Sequence, residues 1–456
     1  MQKFDMTSRR TVLGGGLGLS LFAALPAWAR DTAGNGASFR AGAGRAPVEF
    51  AATLFPVDGF AAQHDPLNVR VLVLESGTRR LAIVIVDLTS IFDGMITAIK
   101  AAVTKTTGIA AADTVVCASH GFSAPHVFTG DHMPPDLDPA ANAAAFAAIE
   151  TAALKAAQQA WASIRPARFG AGSGVSTVNV NRDVETPQGW WLGADDAGFA
   201  DHHLGVLRID GTDGKPIAIV MNFAVQSSVM DGSQRTEGGR VITADLAGAA
   251  ARYVEGQYAD TGTVALFLAG AAGDQAPFLQ ANRYVAGPDG TIAREDIHEA
   301  GFTLLALLGE RLGGDVMRVA RRIAATETPA IEVRRESLTV TSQTFSPRDR
   351  PTGPVQSLDY HTGGPVEVPI ALLRIGDSVI VGVQPELAAI IGKTIRDASP
   401  FSQTLVSTMV DGAAKYMPDA GSYDRFTYEA RSSPFAKGAA EETAARIGAL
   451  LKQMKS

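Results

Sequence analysis

Asp113-Thr-Val-Val-Cys-Ala-Ser-His120-Gly-Phe-Ser-Ala-Pro-His126 is the stretch from which the rest of the chain is best read. Thr114 to Ala118 are β-branched or small and predict a buried strand, and His120 falls where that strand gives way to a Gly/Ser/Pro turn. Side chains at strand ends project into clefts, and a neutral imidazole is a common metal ligand. On this window alone the alternative is a histidine that hydrogen-bonds a loop backbone. Cys117 is the only cysteine, which excludes an internal disulfide and a cysteine zinc cluster. Its place in the strand predicts a buried structural thiol. A metal here must be held by His, carboxylate or phenolate.

Strands and helices alternate on both sides of this window. Val69 to Glu75 and Leu81 to Asp87 read as a strand pair joined at Ser76-Gly77-Thr78, the second a continuous apolar run suited to burial on both faces. Ala140 to Ser163 predicts a long alanine-rich helix, and Leu204 to Ile209 with Ile217 to Ala224 a hairpin about Asp210–Gly214. Further helices are expected near 244–258, 298–322, 386–396 and 441–455, and further strands near 264–268, 331–340, 366–375 and 379–383. The mixture predicts an α/β (mixed α+β) fold of layered, buried sheets flanked by helices.

The amino terminus addresses location. Ser8-Arg9-Arg10-Thr11-Val12-Leu13 is a twin-arginine signature; an apolar stretch to Leu25 and an Ala27-Trp28-Ala29 cleavage site follow. Residues 1–29 are therefore expected to be a signal peptide recognised by twin-arginine export machinery. Periplasmic or secreted location and no stable membrane anchor after cleavage are expected with it. Residues 30–45, rich in Gly and Ala, predict a flexible tether, with a single domain over 46–456. A formal charge of −7 leaves no electrostatic footprint for nucleic acid.

Separated segments then align, in order, with one family. They include His64-Asp65-Pro66-Leu67, the strand into Ser119-His120, Asn179-Val-Asn-Arg182 and Asn222-Phe-Ala-Val. Ala269-Gly-Ala-Ala-Gly-Asp274, Gln384-Pro-Glu386, Lys415-Tyr416-Met-Pro and Tyr428-Glu429 complete the set. From about Arg40 to Lys455 the chain resembles the neutral/alkaline (non-lysosomal) ceramidases and their shorter bacterial relatives. The resemblance implies the ceramidase amino-terminal-domain fold without the carboxy-terminal immunoglobulin-like domain of long members. It also implies an amide hydrolase that binds Zn2+ through two histidines, a glutamate and a tyrosine and acts on an N-acyl or lipid-like small molecule by metal-activated water.

Carried over residue by residue, His120, Glu386 and Tyr416 match zinc ligands. Tyr416 and Tyr428 also fall at the reacting centre, and Arg182 takes a substrate-side arginine's place. Three positions depart. The second zinc histidine is Gln226, a poorer ligand; the second histidine of the His-x-His turn is Phe122; a serine of long members falls at about Gly270. His126, six residues past His120, is the possible substitute ligand, or else a solvated loop histidine. The departures leave open a non-catalytic or re-specialised binding protein. Asp274 reads as a support for a metal ligand or as a turn cap, and Asp245 as the N-cap of the following helix. The polar segment 341–354 is a candidate lid or a surface loop.

Overall fold

Period-two alternation sorts the buried side chains between layers. Along Pro216–Phe223, Ile219, Met221 and Phe223 enter one core and Ala218 and Val220 another; Asn68–Ser76 and Arg79–Val86 divide in the same way. A computed structural model describes residues 39–130, 133–135, 137–287, 289, 291–345 and 351–456. The signal peptide expected at 1–29 lies outside them.

Eight strands form the main sheet in the order Val264–Ala269, Pro216–Phe223, His203–Gly211, Arg165–Val175, Phe39–Pro47, Asn68–Ser76, Arg79–Val86, Thr114–Ala118. The outermost pair at each edge is parallel and the interior pairs are antiparallel. A second sheet orders Ile331–Phe345, Tyr360–Ile375, Ser378–Val383 and Gln403–Ser407. One face of each meets the other in a core that joins Leu72, Ile83 and Leu266 to Leu373 and Leu405. Helices Asp93–Thr107 and Pro139–Ala162 cover half of the main sheet's outer face, and Asp245–Gly256 with Gly301–Ala320 the other half. Ala389–Ala398 and Ala439–Lys455 cover the second sheet. The result is helix, sheet, sheet, helix: the layered mixed α/β fold expected.

Two expectations are corrected. Residues 39–45 are not tether but part of the Phe39–Pro47 strand, which pairs with Asn68–Ser76 along its whole length. Its glycines are there for packing, since a Cβ on Gly42 or Gly44 would overlap the carbonyl oxygens of Ala160 and Ala156 in the helix above. Glu386 does not open a helix. Its N–H donates to Lys415 O and it pairs with Tyr416 in a short parallel strand, which delays the helix to Ala389. In the candidate lid, residues 341–345 continue a strand and 346–350 lie outside the described residues.

Residues 408–411 position the site. Thr408 N–H donates to Ala269 O, while Ala118 N–H donates to Met409 O and Asp411 N–H to Val116 O. This one segment therefore bonds both edge strands of the main sheet and brings their carboxyl ends, with His120 and Gly270 beyond them, into one neighbourhood. Among the described residues no helix is long and apolar enough to cross a membrane.

Candidate functional site

His120 adopts a left-handed backbone conformation, φ +61°, which is uncommon for a residue bearing a Cβ. The turn holds it there: Ser119 N–H donates to Val86 O, Gly121 N–H to Leu88 O and Ser227 N–H to His120 O. The imidazole is thereby turned inward, only 1% exposed. Its Nδ1 lies 2.7 Å from the Thr89 carbonyl, an acceptor only, so Nδ1 carries hydrogen and Nε2 faces Glu386 Oε2 at 2.8 Å.

Four further segments converge on this pair. The parallel Glu386–Tyr416 pairing sets the carboxylate beside the phenol. Gln226, beyond the end of the Pro216–Phe223 strand, donates from Nε2 to Glu386 Oε2 (2.8 Å) and accepts at Oε1 from Arg182 Nη1 (2.6 Å). Arg182, on the Asn179–Thr186 strand, donates from Nε to Glu429 Oε1 (2.7 Å), and its Nη2 lies 2.5 Å from the same oxygen. Its guanidinium carbon stands 5.2 Å from the Tyr416 ring and 5.7 Å from the Tyr428 ring, and the two rings meet edge to face at 5.9 Å. Tyr428 opens the helix Tyr428–Ser432, capped by the Thr427 side chain.

Burial and mutual charge set the ionisation. Burial alone would neutralise Glu386, but His120 and then Arg182 hold its carboxyl below the usual range. Burial also opposes charge on His120, and the Glu386 carboxylate overcomes it, raising the imidazole. Arg182 is held well above its ordinary value by Glu429 and Tyr416 against burial. Burial, and next Glu386, push the Tyr416 phenol up, with Arg182 opposing.

Phe122, Arg182, Gln226, Tyr416 and Tyr428 border a cavity of about 80 Å³. It shares Leu192, Gly193, Gln280 and Tyr284 with a trough of about 350 Å³ whose wall includes Val184, Phe278, Leu279 and Ile292. Phe278 and Leu279 are exposed large apolar side chains on this trough. A larger cavity, about 690 Å³, lies along the alanine face of Pro139–Ala162 and touches none of these residues. The smaller pair of cavities, bordered by the buried Arg182, Gln226, Tyr416 and Tyr428 cluster, is the candidate site.

The donors present can be set against a zinc ion. Among the described residues no three His, Cys, Asp or Glu side chains converge as ligands, so a phenol must be the third donor. His120 Nε2 stands 2.8 Å from Glu386 Oε2. Without a metal the raised imidazolium pairs with that carboxylate; only the neutral ring, with hydrogen on Nδ1, offers Nε2 to a cation. Gln226 adds nothing to the set, because its oxygen is taken by Arg182 and its amide hydrogens face Glu386. His120, Glu386 and Tyr416 are thus the three side chains here that could hold zinc, the number of protein ligands in a catalytic zinc centre. His126 is elsewhere: half exposed, its Nδ1 pairs with Asp58 Oδ2 at 2.9 Å and its ring stacks on Phe128.

Other expectations resolve on contacts. Asp245 is not the N-cap; its carboxylate accepts from Val229, Met230 and Leu246 N–H groups and from Ser123, tying down the loop after Gln226. Asp274 caps the neighbouring helix by accepting from Ala389 N–H, and its carbonyl accepts from Arg182 N–H. Sequence reasoning missed Glu429 and Thr89 as partners of site residues. Glu429 stands 247 positions from Arg182, and its one signal was its place in the Tyr428-Glu429 segment.

Fold and site together define a layered α/β protein with a buried polar cluster at the joined sheet edges. Solved structures share this fold. The neutral ceramidase from Pseudomonas aeruginosa matches with TM-score 0.69 at 18% identity, over 91% of this chain and 75% of that one. A ceramidase complexed with C2 matches with TM-score 0.68 at 17% identity, over 92% of this chain and 76% of that one. The chain has the neutral ceramidase fold, as its motifs implied. No protein-family model matches it. No curated protein matches it either.

Proposed function

We propose that the chain is an exported, zinc-dependent hydrolase of the amide bond in an N-acyl, lipid-like substrate. The observation that carries this reading is the placement of Arg182, Tyr416 and Tyr428 on a polar cavity that shares wall residues with an apolar trough and whose Gln226 donates to Glu386. The polar cavity suits an amide and its neighbouring polar atoms, and the trough suits an acyl chain. The solved ceramidases of this fold make an amide the first substrate class to try.

Zinc held by His120, Glu386 and Tyr416 would supply Lewis-acid polarisation of the amide carbonyl and a more acidic water. The chain's own residues do the rest. Thr89 keeps hydrogen on His120 Nδ1 and leaves Nε2 free. The Tyr428 hydroxyl stabilises charge developing on the carbonyl oxygen, and Arg182 orients the polar end of the substrate. Phe122 and Leu192 restrict water at the cavity wall. Turnover of N-acyl amides from acetyl to palmitoyl, followed by release of the free acid, tests the proposal. Tyr428→Phe should lose about 10²–10³ in kcat. No turnover by zinc-supplied protein across that series would overturn it.

One observation favours a second reading. The Gln226 carboxamide closes a continuous network from His120 through Glu386 and Arg182 to Glu429, two charge-balanced pairs that need no metal. A binding protein with this pocket would show saturable uptake of an N-acyl amide, no stoichiometric metal and no turnover. Export by the twin-arginine route is part of the proposal and rests on residues 8–29. Retention in the cytoplasm after Arg9→Lys and Arg10→Lys, against export of the wild type, checks it.

A further inference from the structure

We infer that Gly193 is a specificity-determining residue: the side chain it lacks leaves room for an apolar chain to run from the polar cavity into the trough. The inference deepens the proposed function and rests on that reading for the trough as a chain site. Leu192, Gly193, Gln280 and Tyr284 belong to the walls of both cavities. A ligand that occupies the two together must cross this shared wall.

Two strands build the crossing. Period-two alternation puts Arg182 and Val184 on one face of Asn179–Thr186, where Arg182 borders the cavity and Val184 the trough. Asp183, between them, borders a different cavity on the other face. The neighbouring strand Gly189–Asp195 pairs Leu192 with Asp183 and Asp195 with Asn181, so Gly193 and Ala194 together oppose Arg182. Such a β-bulge re-aims side chains beside active sites. The bulge does not itself require glycine, because Gly193 is not among the glycines with positive φ. Space is what excludes a side chain. A Cβ on Gly193 would stand 2.6 Å from Val184 Cγ2, well inside van der Waals contact.

The rest of the shared wall is held. The Tyr284 ring lies 4.3 Å from the Arg294 guanidinium carbon and meets buried Trp191 edge to face at 6.0 Å. A side chain added at position 193 therefore displaces Val184, which lines the trough. The cavity of about 80 Å³ has room for an amide and a short acyl group, and further methylenes belong in the trough of about 350 Å³. Each methylene buried there gains roughly fourfold in affinity for the ligand or its transition state. Short acyl groups stop before Gly193; long ones must pass it.

Chain length is read as the ratio of kcat/KM for N-octanoylethanolamine to that for N-acetylethanolamine, on the full chain supplied with zinc. Gly193→Val should lower that ratio at least about tenfold, the equivalent of two or more methylenes kept out of the trough. Adding Val184→Ala vacates the space the new side chain needs and should bring the ratio back to within about threefold of wild type, on the same scale. An unchanged ratio in folded Gly193→Val overturns the inference, and so does a fall that Val184→Ala deepens instead of relieving. If Gly193→Val fails to fold, Gly193→Ala with and without Val184→Ala takes its place. If neither amide is turned over, the hydrolase reading fails alone, and the ratio of the two Kd values reports on Gly193 in the same variants. Binding of neither amide overturns both.

Discussion

Removing the Glu429 side chain by Glu429→Ala strands a charge in the core. Arg182 is 7% exposed, and its Nε contact at 2.7 Å and Nη2 contact at 2.5 Å both end on Glu429. The Gln226 carboxamide, an acceptor at 2.6 Å, carries no charge to replace the lost carboxylate. Breaking one half of a buried pair costs about 3–5 kcal/mol, because the survivor stays desolvated and unpaired. Glu429→Ala is therefore expected to lose about 3–5 kcal/mol. Denaturant unfolding of the single and combined variants with Arg182→Met gives a double-mutant cycle. The double variant should be less destabilised than the sum of the singles by about 2 kcal/mol or more, since removing both charges leaves neither stranded. A Glu429→Ala cost below about 1 kcal/mol, or an additive cycle, refutes the reasoning.

Two more expectations come from burial. The Asp274 carboxyl is pushed up to about 6 by burial, from an ordinary 3.8. A folded-state value above the unfolded one favours the fold below about pH 4, and that contribution is lost as pH rises through about 6, roughly 3 kcal/mol in all. Asp274→Asn should therefore reduce the fall in unfolding free energy between pH 4 and 7. Asp245, pushed to the same range, keeps a residual slope. An unchanged pH profile in Asp274→Asn contradicts this. Cys117 is buried and its thiol is pushed far up by burial, so it should resist thiol reagents in native protein and react on unfolding. Labelling at equal rates in both states contradicts that.

Much of the fold was legible because burial on both faces and period-two alternation write themselves locally. Leu81 to Val86, Val264 to Leu268 and the hairpin about Asp210–Gly214 were read nearly to their ends. The errors lie where tertiary contacts override composition. Gly42 and Gly44 look like linker residues but admit a helix to the strand, and Glu386 looks like a helix start but is claimed by Lys415 and Tyr416. At the site, His120, Arg182, Gln226, Glu386, Tyr416 and Tyr428 do meet, as their segments implied. His126 does not join them, because Asp58 holds it at the surface. The pairing of Glu429 with Arg182 was beyond reach, since no local pattern links positions 247 apart.

The central claim is that His120, Glu386 and Tyr416 hold a catalytic metal despite Gln226. Elemental mass spectrometry on protein purified without chelator, beside His120→Ala, tests it most directly. The account predicts close to one zinc per chain in the wild type and none in the variant. Zinc-free wild-type protein, even when folded with zinc supplied, or zinc that persists in His120→Ala, contradicts it.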